Sequence, residues 1–176
     1  MRQVDQLVSD DYLRFDTKIG GPGLVVEIDE SKFGKRKYNK GHRVEGCWVF
    51  GGVERGTGRF FAVPVPNRKK TTLKAIIEHY IAPGTFIISD CYSSYKWLEA
   101  DNQTTYDYDC VNHSVEYVKK YQGRNFPPRH HIPNHVRVAI HTNQIEGLWR
   151  ILKTGIPKKN LESTEGLKDR LGSLFR

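Results

Sequence analysis

The sequence predicts an α/β domain in which a mixed β-sheet is flanked by helices. Short apolar runs rich in Val, Ile and Phe, bounded by Gly or Pro, are typical of strands. Segments with apolar residues at helical spacing separate the later runs. The chain has 176 residues, of which 38% are hydrophobic, so it can bury a core. We therefore expect a lead-in segment over 1–22 and one domain over 23–176.

Three strands are expected first. They cover 24–28, 47–53 and 59–65, and the turn at 56–58 joins the last two as a hairpin. Pro64 has no N–H to donate, which predicts that the third strand lies at a sheet edge or ends there.

Helices are expected between the remaining strands. Thr71 or Thr72 can cap a helix that ends before Pro83. The later elements are a strand over 85–89, a short helix over 93–99, a strand over 105–111, a loop or insertion over 119–140, a helix from Thr142 or Asn143 to 155–157, and an amphipathic stretch over 163–174. Three consecutive hairpin strands followed by helix-separated strands describe an RNase H-like sheet, which is also the retroviral-integrase-like arrangement.

The charge and the cysteine count indicate the kind of partner and compartment. The net charge of +8 favours a polyanion such as nucleic acid, although it is also compatible with solubility alone. Three cysteines without a Cys-x-x-Cys pair predict neither a disulfide framework nor a structural zinc site, and they favour a reducing compartment. No apolar run approaches the roughly 20 residues of a membrane span, and the first residues lack a signal-peptide core.

Three carboxylates are the candidate catalytic and metal-binding residues. Asp29 and Asp90 each close an apolar run, and Glu146 lies on the last predicted helix. Burying such groups is costly unless they bind metal or take part in chemistry. Three carboxylates in a basic chain suggest a two-metal site for phosphoryl transfer, and Mg²⁺ prefers oxygen ligands. Singly, each acid could instead be a strand-end cap, a turn former or a solvated helix residue.

Basic residues near these acids are candidate DNA contacts. Asn143, Glu146, Arg150 and Lys153 share one helix face, so Arg150 and Lys153 could reach phosphate beside Glu146. The basic loop after the first strand could do the same, or it could be a solvated hairpin; its residues are Lys32, Lys35, Arg36 and Lys37. The segment 68–70 could also meet the DNA backbone. Glu27 shares the face of Asp29 while Glu30 points the other way. Either could assist at the metal, but a structural salt bridge is the expected role for these two.

The histidines and tryptophans say less about function than the acids and basic residues do. His130, His131 and His135 lie close together without a cysteine pair, which makes zinc a poor hypothesis. The three tryptophans, at 48, 97 and 149, are expected in the core.

Five sequence blocks resemble a known family. Val26–Phe33, Ile88–Cys91 with Tyr95, and His141–Trp149 with Lys153 resemble, in this order, the three catalytic blocks of Merlin-type DNA transposons and related bacterial insertion-sequence (ISXO2-like) transposases. The segments 48–52 and 111–114 also match.

The resemblance implies a DDE-type triad of Asp29, Asp90 and Glu146 that uses Mg²⁺ or Mn²⁺. Some bacterial relatives carry Asn as the third member, which makes Asn143 the rival of Glu146. We prefer Glu146 because a carboxylate binds Mg²⁺ better than an amide and because Lys153 stands at the expected offset of seven residues. His113 and His141 lie in the matching blocks, either near DNA or in the core.

The predicted function is that of a DNA transposase or integrase catalytic domain, which cleaves transposon ends and joins strands as a homo-oligomer on paired DNA ends. A domesticated, non-catalytic DNA-binding protein and an RNase H-fold nuclease are the alternatives. Many relatives carry an N-terminal end-recognition segment, and we do not expect one in the few residues before Asp29. The expected location is the nucleus in a eukaryote, or the cytoplasm (nucleoid) in a bacterium.

Overall fold

A five-stranded mixed sheet forms the centre of the protein. The computed structural model describes residues 18–34, 46–100, 105–112, 115, 118, 139–156, 166, 167 and 171. The elements are β1 (Val25–Phe33), β2 (Cys47–Glu54), β3 (Phe60–Val65), α1 (Lys70–Tyr80), β4 (Phe86–Asp90), a 3₁₀ turn (Ser93–Tyr95), α2 (Lys96–Ala100), β5 (Asp107–Val111) and α3 (Asn143–Gly155).

The strand order is β3-β2-β1-β4-β5. β1 pairs antiparallel with β2, and β2 pairs antiparallel with β3. β4 runs parallel to both β1 and β5. Three hairpin strands joined to two parallel strands make an RNase H-like fold, which confirms the predicted class. Pro64 lies on the edge strand β3, as predicted.

β1 is longer than predicted. It continues through Phe33, so Asp29 lies in the middle of the strand and does not close it. Asp29 is opposite Gly51 of β2. A Cβ atom on Gly51 would lie 2.6 Å from Trp149 Cη2, and glycine therefore lets the α3 tryptophan pack directly on the sheet. Lys32 and Phe33 belong to the strand, and the rest of the predicted basic loop up to residue 40, apart from Gly34, lies outside the described residues.

α1 covers one face of the sheet. Its buried residues pack with Ile28 and Phe50 in the larger core cluster. The predicted threonine cap is wrong, because the N-cap residue is Lys69 and no side chain caps the helix. Thr72 Oγ1 instead donates to Asn67 Oδ1 at 2.9 Å, and the same oxygen accepts from Lys69 N at 3.0 Å. Asn67 thus organises the turn that leads into α1.

α3 packs on the opposite face, where a second core cluster forms with Phe33 and Val49. The predicted apolar face is confirmed, and Trp149 is part of it. Of the amphipathic stretch predicted over 163–174, residues 166, 167 and 171 are described. The α3 and tail residues in this cluster are Ile145, Leu148, Trp149, Leu152, Ile156, Leu167 and Leu171.

The N-terminal lead-in ends in contact with the core. Ile19 is buried and forms a β-bridge with Ile81, which follows α1. Residues 1–17 and nearly all of the predicted insertion over 119–140, including its three histidines, lie outside the described residues. Within the described chain, no helix is long and apolar enough to cross a membrane.

A disulfide joins Cys91 and Cys110, a single bond that was not predicted when the cysteine count argued against a disulfide framework. Ser89 lies opposite Cys110 in the parallel ladder of β4 and β5. The ladder thereby brings the two cysteines to a Cα–Cα distance of 5.2 Å, which is within disulfide reach. Only the strand register, which the sequence does not reveal, creates this proximity.

Candidate active site

A row of polar side chains on β1 faces α3. Glu27, Asp29 and Ser31 alternate along the strand, so all three point to one side of the sheet. Each bonds a different turn of the helix. Gln144 N and Ile145 N donate to Glu27 Oε2 at 2.8 and 3.1 Å, Trp149 Nε1 donates to Asp29 Oδ2 at 2.9 Å, and Lys153 Nζ donates to Ser31 Oγ at 2.6 Å.

The spacing of these contacts aligns α3 with β1. The contacting helix residues 145, 149 and 153 are four residues apart, which is a rise of about 6 Å. The contacted strand residues are two apart, which is a rise of about 6.6 Å. The helix therefore runs alongside the strand, and Glu146 in its first turn is held at the same end as Glu27.

Glu27 anchors the beginning of α3. Its side chain is fully buried, and Arg55 Nε donates to its second oxygen, Oε1, at 2.7 Å. A carboxylate at a helix N-terminus satisfies N–H groups that have no partner within the helix and interacts favourably with the helix dipole. The salt bridge expected for Glu27 is confirmed, but its contact with the helix was not predicted.

His141 belongs to the same network. Its Nδ1 lies 3.3 Å from Glu27 Oε1 and 3.1 Å from Arg55 Nη2, and Arg55 also donates to its carbonyl oxygen at 2.9 Å. Burial and the Arg55 charge lower the pKa of His141, while the Glu27 charge opposes them. Of the two roles considered for His141, its contacts are those of a packing residue behind the helix. His113 lies outside the described residues.

The three predicted acids interact electrostatically. Glu27 lies opposite Ile88 in the parallel ladder of β1 and β4, so Asp29 and Asp90, each two residues further on, point to the same face of neighbouring strands. Burial raises the pKa of Asp29 to about 6, the Trp149 hydrogen bond opposes this, and the charges of Asp90 and Glu146 raise it further. Acids from three separate parts of the chain thus share one electrostatic environment.

The acids fit a divalent cation by their chemistry. Carboxylate oxygens are the ligands that Mg²⁺ takes, and a cation would relieve the repulsion that raises the pKa of Asp29. Among the described residues, however, no three His, Cys, Asp or Glu side chains already form a group able to hold a metal. Asp29 Oδ2 is bonded to the Trp149 indole, and Thr142 Oγ1 donates to Glu146 Oε1 at 3.2 Å.

Glu30 is a fourth acid near the site, and the salt bridge expected for it is not found among the described residues. It points to the other face of β1, and burial, Asp29 and Asp90 raise its pKa to about 7, against the nearby Tyr95 hydroxyl and the charge of Arg68. Glu30 Oε1 and the Tyr95 hydroxyl are both buried, and among the described residues neither makes a hydrogen bond of good geometry. No periodicity in the sequence signals this environment, because it arises from the packing of the 3₁₀ turn.

The residues predicted to contact DNA differ in how far they are exposed. Lys32 and Arg150 are exposed. Lys153 donates to Ser31 and lies over the Phe33 ring at 5.4 Å; burial lowers its pKa, and the Asp29 charge opposes this. Two further residues of the predicted helix face, Asn143 and Glu146, are exposed. Three predicted contacts, Lys35, Arg36 and Lys37, lie outside the described residues.

Comparison with known proteins gives one family and several distant structures. The sequence-family model described as the ISXO2-like transposase domain matches residues 18–163. No curated protein matches the chain. The integrase catalytic core domain of HTLV-2 in complex with magnesium, in its dimeric form, is 11% identical, with 86% of this chain and 85% of that chain covered and a TM-score of 0.49. The simian T-cell lymphotropic virus intasome in complex with the PP2A regulatory subunit B56 gamma is 15% identical, with 88% of this chain and 49% of that chain covered and a TM-score of 0.49.

Proposed function

The chain belongs to the ISXO2-like transposase domain family of bacterial insertion sequences, and we propose that it is a catalytic domain that cleaves transposon ends and joins DNA strands. One observation carries the proposal beyond the family. Asp29 and Asp90 point to the same face of neighbouring strands, and α3, which carries Glu146, is bonded to that face. Burial is the main cause that raises the pKa of Asp29 to about 6, and the charges of Asp90 and Glu146 add to it. Acids that repel one another at a sheet face favour a divalent cation, and the basic chain favours DNA.

Asp29, Asp90 and Glu146 are the residues that would hold Mg²⁺ or Mn²⁺. When bound, two such ions activate the attacking oxygen and stabilise the leaving one. The protein contributes orientation. The Trp149 indole holds one oxygen of Asp29, and Glu27 holds the first turn of α3, which carries Glu146.

Glu146 is the third acid in this proposal, and Asn143 is not. The Glu146 charge acts on Asp29, and a carboxylate neutralises a cation as an amide does not. The DNA cleavage rates of the Glu146→Gln and Asn143→Ala variants test which residue is the third ligand. We expect Glu146→Gln to lose at least about a hundredfold in rate, in the range of removing one transition-state contact, and Asn143→Ala to lose less than about threefold. The reverse order would make Asn143 the third ligand.

One assay distinguishes the proposed transposase activity from its two alternatives. A labelled DNA carrying element ends is incubated with supercoiled plasmid and Mg²⁺ or Mn²⁺. Joined products support the transposase, nicking without joining indicates an RNase H-fold nuclease, and no change in either DNA indicates a non-catalytic DNA-binding protein. Asp29→Ala should abolish joining, whereas Glu78→Gln, which changes an exposed acid on α1, should not.

Further parts of the proposal rest on the family and on the mechanism. We propose self-association on paired DNA ends, a catalytic unit over 23–176 that follows a lead-in over 1–22, and a location in the bacterial cytoplasm at the nucleoid. The relationship to Merlin-type transposons stays a prediction.

A further inference from the structure

An arginine is held between two aromatic rings close to the end of β4, where Asp90 lies. The Arg68 guanidinium carbon lies 3.9 Å from the Trp48 ring centroid and 4.8 Å from that of Tyr92. All three side chains are half-buried. Ser94 Oγ donates to the Arg68 carbonyl oxygen at 2.8 Å, which fixes the main chain at this point. The planar cation is thus held in one orientation before any ligand arrives.

Stacking leaves the N–H groups of Arg68 available. Within the described part of the chain, its side chain makes no hydrogen bond and no ion pair. Arg55 is the informative contrast, because its guanidinium donates to a carboxylate and to two carbonyl oxygens. Arg68 is half-buried, so water can satisfy its donors until a ligand replaces it. The edge of Arg68 matches the planar, two-pronged recognition of phosphate.

The stack adjoins the proposed active site. Tyr92 N donates to Asp90 Oδ1 at 3.2 Å, so one ring of the stack follows directly on a proposed metal ligand. Trp48 and Tyr92 pack against the core cluster on the α1 side of the sheet, which is the face opposite Asp29, so the stack meets the acids through Asp90 at the end of β4. Lys32 Nζ lies 5.7 Å from the Trp48 centroid, which adds a second, exposed cation to the same ring.

We propose that Arg68, clamped between Trp48 and Tyr92, binds a backbone phosphate of the DNA strand that enters the acid cluster. The inference rests on the proposed function for the identity of the strand. The contact reads no sequence, because phosphate carries no base information. It sets the register of the strand relative to Asp90.

The test measures DNA binding apart from cleavage. Fluorescence anisotropy of a labelled duplex is followed against salt in an Asp29→Asn background. We expect Arg68→Ala to weaken binding roughly tenfold and to reduce the salt slope by about one. Lys74→Ala is the control, since Lys74 Nζ lies 4.9 Å from the Trp97 centroid but is already paired with Glu78 Oε1 at 3.6 Å. It should leave both quantities unchanged.

The outcomes separate the two proposals. If Arg68→Ala matches Lys74→Ala in affinity and slope, the stack is only a packing feature and the inference is overturned. If Arg68→Ala does not fold, Arg68→Lys decides: a weakened affinity with the slope kept supports the phosphate contact, and an unchanged affinity overturns it. If the wild type cuts no DNA but the salt slope of its DNA binding still depends on Arg68, this inference is kept and the proposed function is rejected.

Discussion

Asp29→Asn is predicted to stabilise the metal-free protein while it abolishes DNA cleavage. The pKa of Asp29 rises from 3.8 to about 6 on folding, chiefly through burial. Between these values the folded state binds more protons than the unfolded state, so stability is lost as pH rises through this range. At 1.36 kcal/mol for each pKa unit, the penalty above pH 6 reaches about 3 kcal/mol. Asparagine is uncharged and can still accept the Trp149 hydrogen bond, and it therefore removes the penalty.

Thermal unfolding followed by circular dichroism in EDTA measures this effect. For a chain of this size, about 3 kcal/mol corresponds to a rise in Tm of roughly 6–12 °C. We expect that rise at pH 8, and we expect the gap between the two proteins to shrink as pH falls towards 4. Mg²⁺ should stabilise the wild type at pH 8 more than the variant. Glu78→Gln loses only an exposed ion pair with Lys74, so it should change Tm by at most about 2 °C. A variant less stable than the wild type at pH 8, or a gap independent of pH, would refute the electrostatic reasoning.

Three further substitutions test the contacts between α3 and β1. Glu27→Ala leaves Arg55 and two helix N–H groups without their partner, and urea unfolding should show a loss of about 3–5 kcal/mol; a loss below about 1 kcal/mol would contradict the anchoring role. Trp149→Phe removes the donor that opposes the rise in the pKa of Asp29, so the pH at which stability is lost should move upward, and a downward shift would be inconsistent. Lys153→Met keeps the alkyl chain and loses one hydrogen bond, which should cost about 1 kcal/mol in thermal unfolding; a loss above about 3 kcal/mol would mean that Lys153 is more than a local contact.

The positions of the strands along the chain were predictable because their signals are local. Apolar runs, the glycine turn at 56–58 and Pro64 each act within a few residues. The length of β1 was not predictable in the same way. Its second half, Asp29 to Lys32, is wholly polar and gives no hydrophobic signal. It remains a strand because the ladder with β2 continues to Phe33 and because α3 bonds its polar side chains.

The electrostatics of the site were less predictable than the identity of its acids. Asp29, Asp90 and Glu146 stand out by residue type and by their place in the sequence blocks. Glu27 looks like an ordinary charged residue until α3 packs above it, and Arg68 looks like one of three consecutive basic residues. Both roles depend on partners that lie far away in the chain, so they arise only from the fold.

α3 is held on the sheet by apolar packing and by hydrogen bonds, and the two have different effects. The apolar residues on its buried face supply most of the binding energy, since burial is roughly proportional to area and has no direction. Such a face tolerates small slides along the sheet. The hydrogen bonds to Glu27, Asp29 and Ser31 do not tolerate such movement, because a shift of α3 by one residue along β1 would break all three together. Glu146 makes none of these bonds, yet its neighbour Ile145 and the next contacting residue, Trp149, are both tied to β1. The location of the third acid relative to the first is therefore set by the strand that carries Asp29, which is why separate parts of the chain can supply one reaction centre.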